Sequence, residues 1–346
     1  MSSSLTDHKE IEEGLSWLNR YWNKPAQPAY YAPKTVEEAV SLLEGYHGKA
    51  KIMAGGIDLL GLMKNEVLSP AVLVNIKNIP SLNAIQENPE GLKIGALVNI
   101  HDMERSSILR ETYPLLHEIA RSIGSPQIRN MATIGGNLCQ EVRCWYYRRS
   151  PQTGISFICR RKKEGNPCYA MDGENENHAI FSESPCVAVS PSDMATGLSA
   201  LGARIKTIRS KGERVIPIRD FYTPLGHILE PDEIITSVLV PRVQPATKQR
   251  FLKFRPRKAI DFSTVSVSSV ITSVNGIIRN AKIVMGGVSP RPHEAVAAEK
   301  VLTGESITES VAEKAAGVAV KDAMPLSKNG FKMPLVKALV KRSILE

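Results

Sequence analysis

The chain has 346 residues, 42% of them hydrophobic, and a formal net charge of +9, which is enough for two or three domains with sizeable cores. No apolar run reaches the roughly 18 residues of a membrane span, and the N-terminus has no apolar signal segment, so we expect neither a membrane span nor secretion. An odd number of cysteines argues against a disulfide framework and favours the cytoplasm. Nucleic acid is not an expected partner, because the basic residues do not form a stripe interleaved with aromatics.

The pattern of the first two thirds of the chain predicts a mixture of strands and helices. Residues 1–27 form an N-terminal extension, in which Ile11–Trp22 has the spacing of an amphipathic helix. Thr35, followed three residues later by Glu38, predicts a capping box at the start of the next helix. The further predictions, in chain order, are strands at 50–53, 72–76 and 92–96, helices at 114–123 and 194–201, strands at 203–208, 214–218 and 234–241, and a linker at 243–246.

The last hundred residues have a different pattern. Strands are predicted at 265–271, 276–279 and 281–285, and helices at 306–323 and 333–344. Three strands followed by helices predict a compact C-terminal α+β domain, in which a three-stranded sheet packs against the helices.

Two glycine-rich segments stand out as candidate ligand sites. Ala54-Gly55-Gly56-Ile57-Asp58-Leu59 follows a predicted strand and enters a helical pattern, and Thr133-Ile134-Gly135-Gly136-Asn137 is a second glycine turn. Glycines at such a turn let backbone N–H groups approach a phosphate closely. The spacing is not G-x-G-x-x-G, which disfavours a nicotinamide-binding Rossmann fold.

Three segments together resemble the FAD-binding segments of the flavin subunits of molybdenum hydroxylases, the xanthine dehydrogenase and carbon monoxide dehydrogenase family. They are the glycine turn at 54–59, the longer run 123–137, and Ser192-Asp193. The pieces at 285–292 and 332–337 resemble the C-terminal domain of the same family.

The resemblance implies an α+β fold with two main domains. Residues 28–243 would form a two-part FAD-binding domain of the PCMH type, interrupted by a cysteine-rich insert at 138–190, and residues 246–346 the C-terminal domain. Carried over residue by residue, it implies FAD contacts at Ile52, Met53, Ala54, Gly55, Gly56, Ile57, Asp58, Leu59, Thr133, Ile134, Gly135, Gly136, Asn137, Asp193, Ile235 and Lys253. The two glycine segments would hold the diphosphate through backbone N–H groups, and Asp193 would accept from a ribose or adenine donor.

All five cysteines fall in or beside the insert, which separates the second glycine turn from Ser192-Asp193 by about fifty residues. This resembles the subset of the family that carries an extra [4Fe-4S] cluster, namely the 4-hydroxybenzoyl-CoA reductase β subunit and the flavin subunit of periplasmic aldehyde oxidoreductases. The implied ligands are Cys144, Cys159, Cys168 and Cys186, with Cys139 as the spare. An alternative set uses Cys139 and omits Cys144.

Other interpretations of the insert remain open from the sequence. A structural zinc site usually contains a Cys-x2-Cys pair, and this chain has none. His178 could replace one cysteine as a ligand. The basic residues of the insert, between Arg143 and Lys163, are expected to offset the negative charge of a cluster with four thiolates.

The resemblance implies a subunit that transfers electrons and has no catalytic residues of its own. Its expected cofactors are FAD and a [4Fe-4S] cluster. Its expected partners are a large subunit with the molybdenum cofactor, where substrate chemistry takes place, a small subunit with two [2Fe-2S] clusters, and a ferredoxin-like or other electron carrier. The assembly would be a hetero-oligomer, such as a dimer of heterotrimers. Two alternatives are a stand-alone flavoprotein reductase and a non-catalytic iron–sulfur or zinc protein with a basic face for nucleic acid.

Overall fold

The computed structural model describes residues 27–149, 157–182, 184 and 186–346. The helix predicted in the N-terminal extension lies outside these residues. Within them, no helix is long and apolar enough to cross a membrane.

The first part of the structure is a small parallel sheet with one helix on its face. Its strands lie in the order β1-β3-β2. The Thr35 side chain accepts from the Glu38 amide at 3.2 Å, so Thr35 caps the helix as the sequence predicts. The buried face of this helix packs on the sheet. The elements are β1 (Ala29–Tyr31), α1 (Val36–Gly45), β2 (Ala50–Met53), α2 (Leu59–Lys64) and β3 (Val72–Asn75).

A five-stranded antiparallel sheet forms the second part, in the order β4-β5-β10-β6-β7. Its elements are β4 (Ile85–Asn88), β5 (Gly91–Gly95), α3 (Ile100–Arg105), α4 (Ser107–Thr112), α5 (Pro114–Ser122), α6 (Pro126–Met131), α7 (Ile134–Leu138), α8 (Trp145–Arg148), α9 (Asp193–Ala200), β6 (Arg204–Arg209), β7 (Gly212–Pro217), α10 (Ile218–Phe221), β8 (Tyr222–Thr223), β9 (Gly226–His227) and β10 (Ile234–Pro241). Strand β10 pairs with a strand from before the insert on one side and one from after it on the other. The five strands of this sheet therefore come from before and after the insert, and the described part of the insert contributes no strand to it.

The third part is a four-stranded antiparallel sheet covered by helices, rather than the three-stranded sheet predicted. The elements are β11 (Thr247–Phe254), β12 (Val265–Val274), β13 (Ile277–Gly286), β14 (His293–Glu294), α11 (Val296–Leu302), α12 (Glu309–Val318) and α13 (Lys332–Leu345). Strand β13 joins two predicted strands into one. Strand β11 was missed because charged residues interrupt its apolar pattern, and β14 is too short to recognise.

The cysteine-rich insert docks on the C-terminal sheet. The amides of Ile180 and Phe181 donate to the Val288 carbonyl at 2.9 and 3.0 Å. The same two side chains enter the hydrophobic core of the C-terminal domain. Helix α9, which follows the insert, packs against α5 of the FAD-binding part and against strands β12 and β13 of the C-terminal sheet. Two domains and the insert therefore meet around the start of α9.

Candidate functional site

A cavity of about 510 Å³ opens where the three parts of the chain meet. Most of the predicted FAD contacts line it: Ile52, Ala54, Gly55, Gly56, Ile57, Asp58, Leu59, Thr133, Gly135, Gly136, Asn137, Asp193, Ile235 and Lys253. The two others, Met53 and Ile134, do not line this cavity. Ile134 is fully buried in the hydrophobic core, and Met53 packs beside Gly56.

The two glycine segments touch each other at a point that only glycine allows. A Cβ atom on Gly55 would collide with the carbonyl oxygen of Met131, at the end of α6. Gly56 has a φ of +76°, in the left-handed region that favours glycine. These two constraints explain the double glycine, and they fix the first segment against the second.

The backbone N–H groups available to a ligand lie in the first segment. The amides of Gly55–Leu59 donate to no protein acceptor in the described part of the chain. In the second segment, by contrast, the amides of Ile134 and Gly135 donate to the carbonyls of Val98 and Ala96, at 3.0 and 2.9 Å. The next two amides donate back to the residue that caps α7. These second-segment amides, which the resemblance implies as donors to the diphosphate, therefore already donate to acceptors within the protein.

A hydrogen bond between side chains joins the two ends of the insert. The Ser192 hydroxyl donates to Asn137 Oδ1 at 2.7 Å and accepts from the Ala195 amide at 3.0 Å. Ser192 thus caps α9 and ties it to the end of the second glycine segment. The site is continuous in space although the insert divides it in sequence.

The Asp193 carboxylate is held by the C-terminal domain. It accepts from Lys253 Nζ at 2.7 Å and from the Ser263 and Ser266 hydroxyls at 2.6 and 3.3 Å. The side chains of Asp193 and Lys253 are only 7% and 6% exposed. The resemblance implies that each of them contacts FAD, and in the structure they form a buried ion pair in the wall of the cavity. Three protein donors already use most of the acceptor capacity of Asp193.

Asp58 connects the first glycine segment to the start of the insert. Its carboxylate accepts from the Glu141 amide and from Arg148 Nη2, both at 2.7 Å, and forms an ion pair with Arg143 at 2.9 Å. Arg161 in turn pairs with the Glu141 carboxylate at 2.6 Å. Three of the basic residues expected to offset the charge of a cluster are therefore paired with carboxylates.

Four cysteines lie near one another in the insert. Cys159 and Cys186 are buried in a small apolar cluster, and Cys144 packs against it. Burial raises the pKa of Cys144 to about 11, with smaller contributions from its neighbours Cys159 and Cys186. Burial also raises the pKa of Cys186, the hydrogen-bonded Arg161 guanidinium lowers it, and Cys168 acts on it as a further neighbour.

Cys139 is separate from this group. It packs against the core of the FAD-binding part and lines the cavity. Burial raises its pKa to about 12, and Glu141 adds to the shift. All five cysteines are free, and the described residues contain no group of three or more His, Cys, Asp or Glu placed to hold a metal ion.

Several cavity residues were missed by the sequence reasoning. His227, in the short β8–β9 hairpin, lines the cavity, and its Nδ1 has no partner in the described part of the chain. Burial lowers the pKa of His227 below its ordinary value, which keeps the ring neutral. Phe262 also lines the cavity, and the Arg143 guanidinium carbon lies over its ring, 4.7 Å from the ring centroid. No motif marks these residues, because distant parts of the chain bring them together.

Comparison with known proteins agrees with this geometry. Residues 24–243 match the family described as the FAD binding domain in molybdopterin dehydrogenase, and residues 250–346 match the CO dehydrogenase flavoprotein C-terminal domain. The chain is 33% identical to the aldehyde oxidoreductase FAD-binding subunit PaoB of Escherichia coli, over 83% of this chain and 88% of that protein. It is 27% identical to the carbon monoxide dehydrogenase medium chain of Afipia carboxidovorans, over 88% and 89%.

Solved structures give the same result. Carbon monoxide dehydrogenase from Hydrogenophaga pseudoflava superposes with a TM-score of 0.74 and 26% identity, over 92% of this chain and 96% of that one. The fold and cavity define a two-domain flavoprotein, an oxidoreductase subunit. The chain belongs to the family of FAD-binding subunits of molybdenum hydroxylases, and its cofactor is FAD.

Proposed function

We propose that this chain carries both FAD and a [4Fe-4S] cluster, and that it passes electrons between a molybdenum-containing partner and an outside carrier. The observation that supports the cluster most directly is the gathering of Cys144, Cys159, Cys168 and Cys186 beside the flavin cavity. Cys139 stays apart from them in the cavity wall. Four thiolates that converge on one place are what a cubane cluster requires.

The cavity fits FAD. The free amides of Gly55–Leu59 form a cradle for a diphosphate, and the close contact at Gly55 keeps side-chain atoms out of it. Bound FAD supplies the exchange between one-electron and two-electron transfer. The chain's own residues fix the cradle, bury the Asp193–Lys253 pair in the wall and leave the His227 ring open to the ligand.

The cysteine group fits an anionic cluster better than a single metal ion. A structural zinc site usually contains a Cys-x2-Cys pair, and the sequence has none, which favours a cluster over zinc. Lys332 is a further indication: the residue is 1% exposed, and in the described part of the chain its ammonium donates to the His178 and Gly287 carbonyls and to no carboxylate. A nearby anionic cluster would compensate its buried charge.

Leu62 would lie between the two proposed cofactors. It lines the flavin cavity and also belongs to the apolar cluster that contains Cys159 and Cys186. The Asp58–Arg148 bond fixes the insert to the flavin cradle at the same place. This contact supports direct electron transfer between the cluster and the flavin, with the insert as a second entry or exit point.

The proposed complex follows the relatives. Two of them are carbon monoxide dehydrogenase medium chains, and we propose the same place for this chain, between a large subunit with the molybdenum cofactor and a small subunit with [2Fe-2S] clusters. A ferredoxin-like carrier would exchange electrons at the insert. The free thiols favour the cytoplasm.

A series of serine substitutions tests the cluster. We expect Cys144→Ser, Cys159→Ser, Cys168→Ser and Cys186→Ser each to lose most of the iron while keeping FAD. Cys139→Ser is the matched control and should keep both. Iron loss in the Cys139 variant together with full iron in the Cys144 variant would contradict the ligand set, and a wild-type protein with FAD but no iron would reject the cluster.

A further inference from the structure

One histidine of the insert touches a proposed cluster ligand. His178 Nε2 lies 3.3 Å from Cys144 Sγ, and the histidine is 5% exposed. Its other ring nitrogen, Nδ1, is buried and has no hydrogen-bond partner in the described part of the chain. The Tyr146 ring lies beside it, with the ring centroids 6.4 Å apart.

The C-terminal domain holds the backbone of this histidine. The His178 carbonyl accepts from Lys332 Nζ at 2.8 Å and from Asn329 Nδ2 at 3.2 Å. Both donors are buried, and Lys332 also donates to the Gly287 carbonyl at 2.7 Å. The amide of His178 donates to the Asn175 carbonyl at 2.9 Å. These hydrogen bonds fix the backbone of His178 and thereby help to hold its ring beside Cys144.

The direction of the ring contact follows from the chemistry of the two groups. A thiolate that binds iron has no proton to donate, so Nε2 must carry the hydrogen. This tautomer leaves Nδ1 as a bare acceptor. The opposite tautomer would bury an Nδ1–H donor without an acceptor, which costs the desolvation of that group.

We propose that His178 donates Nε2–H to the Cys144 sulfur and raises the reduction potential of the cluster. The inference rests on the proposed [4Fe-4S] cluster. Hydrogen bonds to cluster sulfurs stabilise the more negative, reduced state, because the acceptor gains charge on reduction. The residue acts through Cys144, so it is a positioning residue and not an iron ligand.

The test is a potentiometric titration of the full-length protein, followed by electron paramagnetic resonance. His178→Phe removes the donor, and His178→Gln keeps an N–H group as the matched control. Among iron-loaded samples, we expect the midpoint potential of the Phe variant to be lower than that of wild type by about 59 mV. For one electron this corresponds to an about tenfold change in the equilibrium constant for reduction. The Gln variant should lie closer to wild type. An unchanged potential in an iron-loaded Phe variant overturns the inference.

A second measurement does not depend on a variant that folds. Wild-type protein labelled with 15N-histidine and reduced should show a histidine nitrogen coupled to the cluster in pulsed electron paramagnetic resonance. A reduced cluster with no coupled histidine nitrogen overturns the inference while leaving the proposed function intact. Wild-type protein without iron instead rejects the proposed function, so the two failures are distinguishable.

Discussion

The buried ion pair between Asp193 and Lys253 allows a quantitative prediction. Replacing Asp193 by Asn keeps the shape of the side chain but leaves the Lys253 ammonium, 6% exposed, without its carboxylate. Among the described residues, the other acceptor of that ammonium is the Ser122 carbonyl, at 3.4 Å. Breaking a buried pair in this way costs about 3–5 kcal/mol of unfolding free energy. We therefore expect Asp193→Asn to destabilise the protein by that amount even without FAD.

Urea unfolding of the FAD-free protein measures this cost. The double variant Asp193→Asn, Lys253→Met removes both charges, and its loss of stability should be smaller than the sum of the two single losses by about 1–3 kcal/mol. A direct contact from Asp193 to ribose would give a different result. An Asp193→Asn protein that unfolds like wild type but binds FAD weakly would refute the ion-pair interpretation and support the contact expected from sequence.

Three further predictions concern the cradle, the insert and a buried lysine. Gly55→Ala places a methyl group against the Met131 carbonyl, so we expect at least about tenfold weaker FAD binding by fluorescence titration, whereas Gly61→Ala, in open space, should bind normally. Arg148→Met breaks the bond to Asp58 and should release iron in parallel with a loss of about 1–3 kcal/mol in stability, measured by iron analysis and urea unfolding. Burial lowers the pKa of Lys332 from 10.5 to about 7. Between these two pH values Lys332 is protonated in the unfolded chain and neutral in the folded protein, so the unfolding free energy of the metal-free protein rises with pH across about pH 7 to 10.5. Lys332→Met should remove that part of the rise relative to wild type, measured by urea unfolding at several pH values.

Local structure was the most predictable part of the fold. The strand at Ala50–Met53 and the cap at Thr35 were predicted correctly, because each is encoded within a few neighbouring residues. Strand β11 was missed because its place in the sheet depends on pairing with β12 along its whole length. The β8–β9 hairpin was missed for a different reason, because two residues per strand carry no periodicity.

The candidate site shows the same division between local and distant contacts. Most of the FAD contacts implied by the sequence resemblance line the cavity, but the resemblance did not indicate how the polar groups of the wall are used. The partners of Asp193 come from strands and a loop that lie 60 to 73 residues later in the chain, and the acceptors for the Ile134 and Gly135 amides come from the turn after β5. Such pairings depend on three-dimensional packing and leave no spacing signal in the sequence.

The count of FAD, iron and acid-labile sulfide in the purified native complex tests the central claim most directly. After subtraction of the [2Fe-2S] clusters of a small subunit, we predict one FAD and about four iron and four sulfide per copy of this chain. A complex with one FAD per chain and no iron beyond that of the small subunit would contradict the account, and would leave the four gathered cysteines as free thiols.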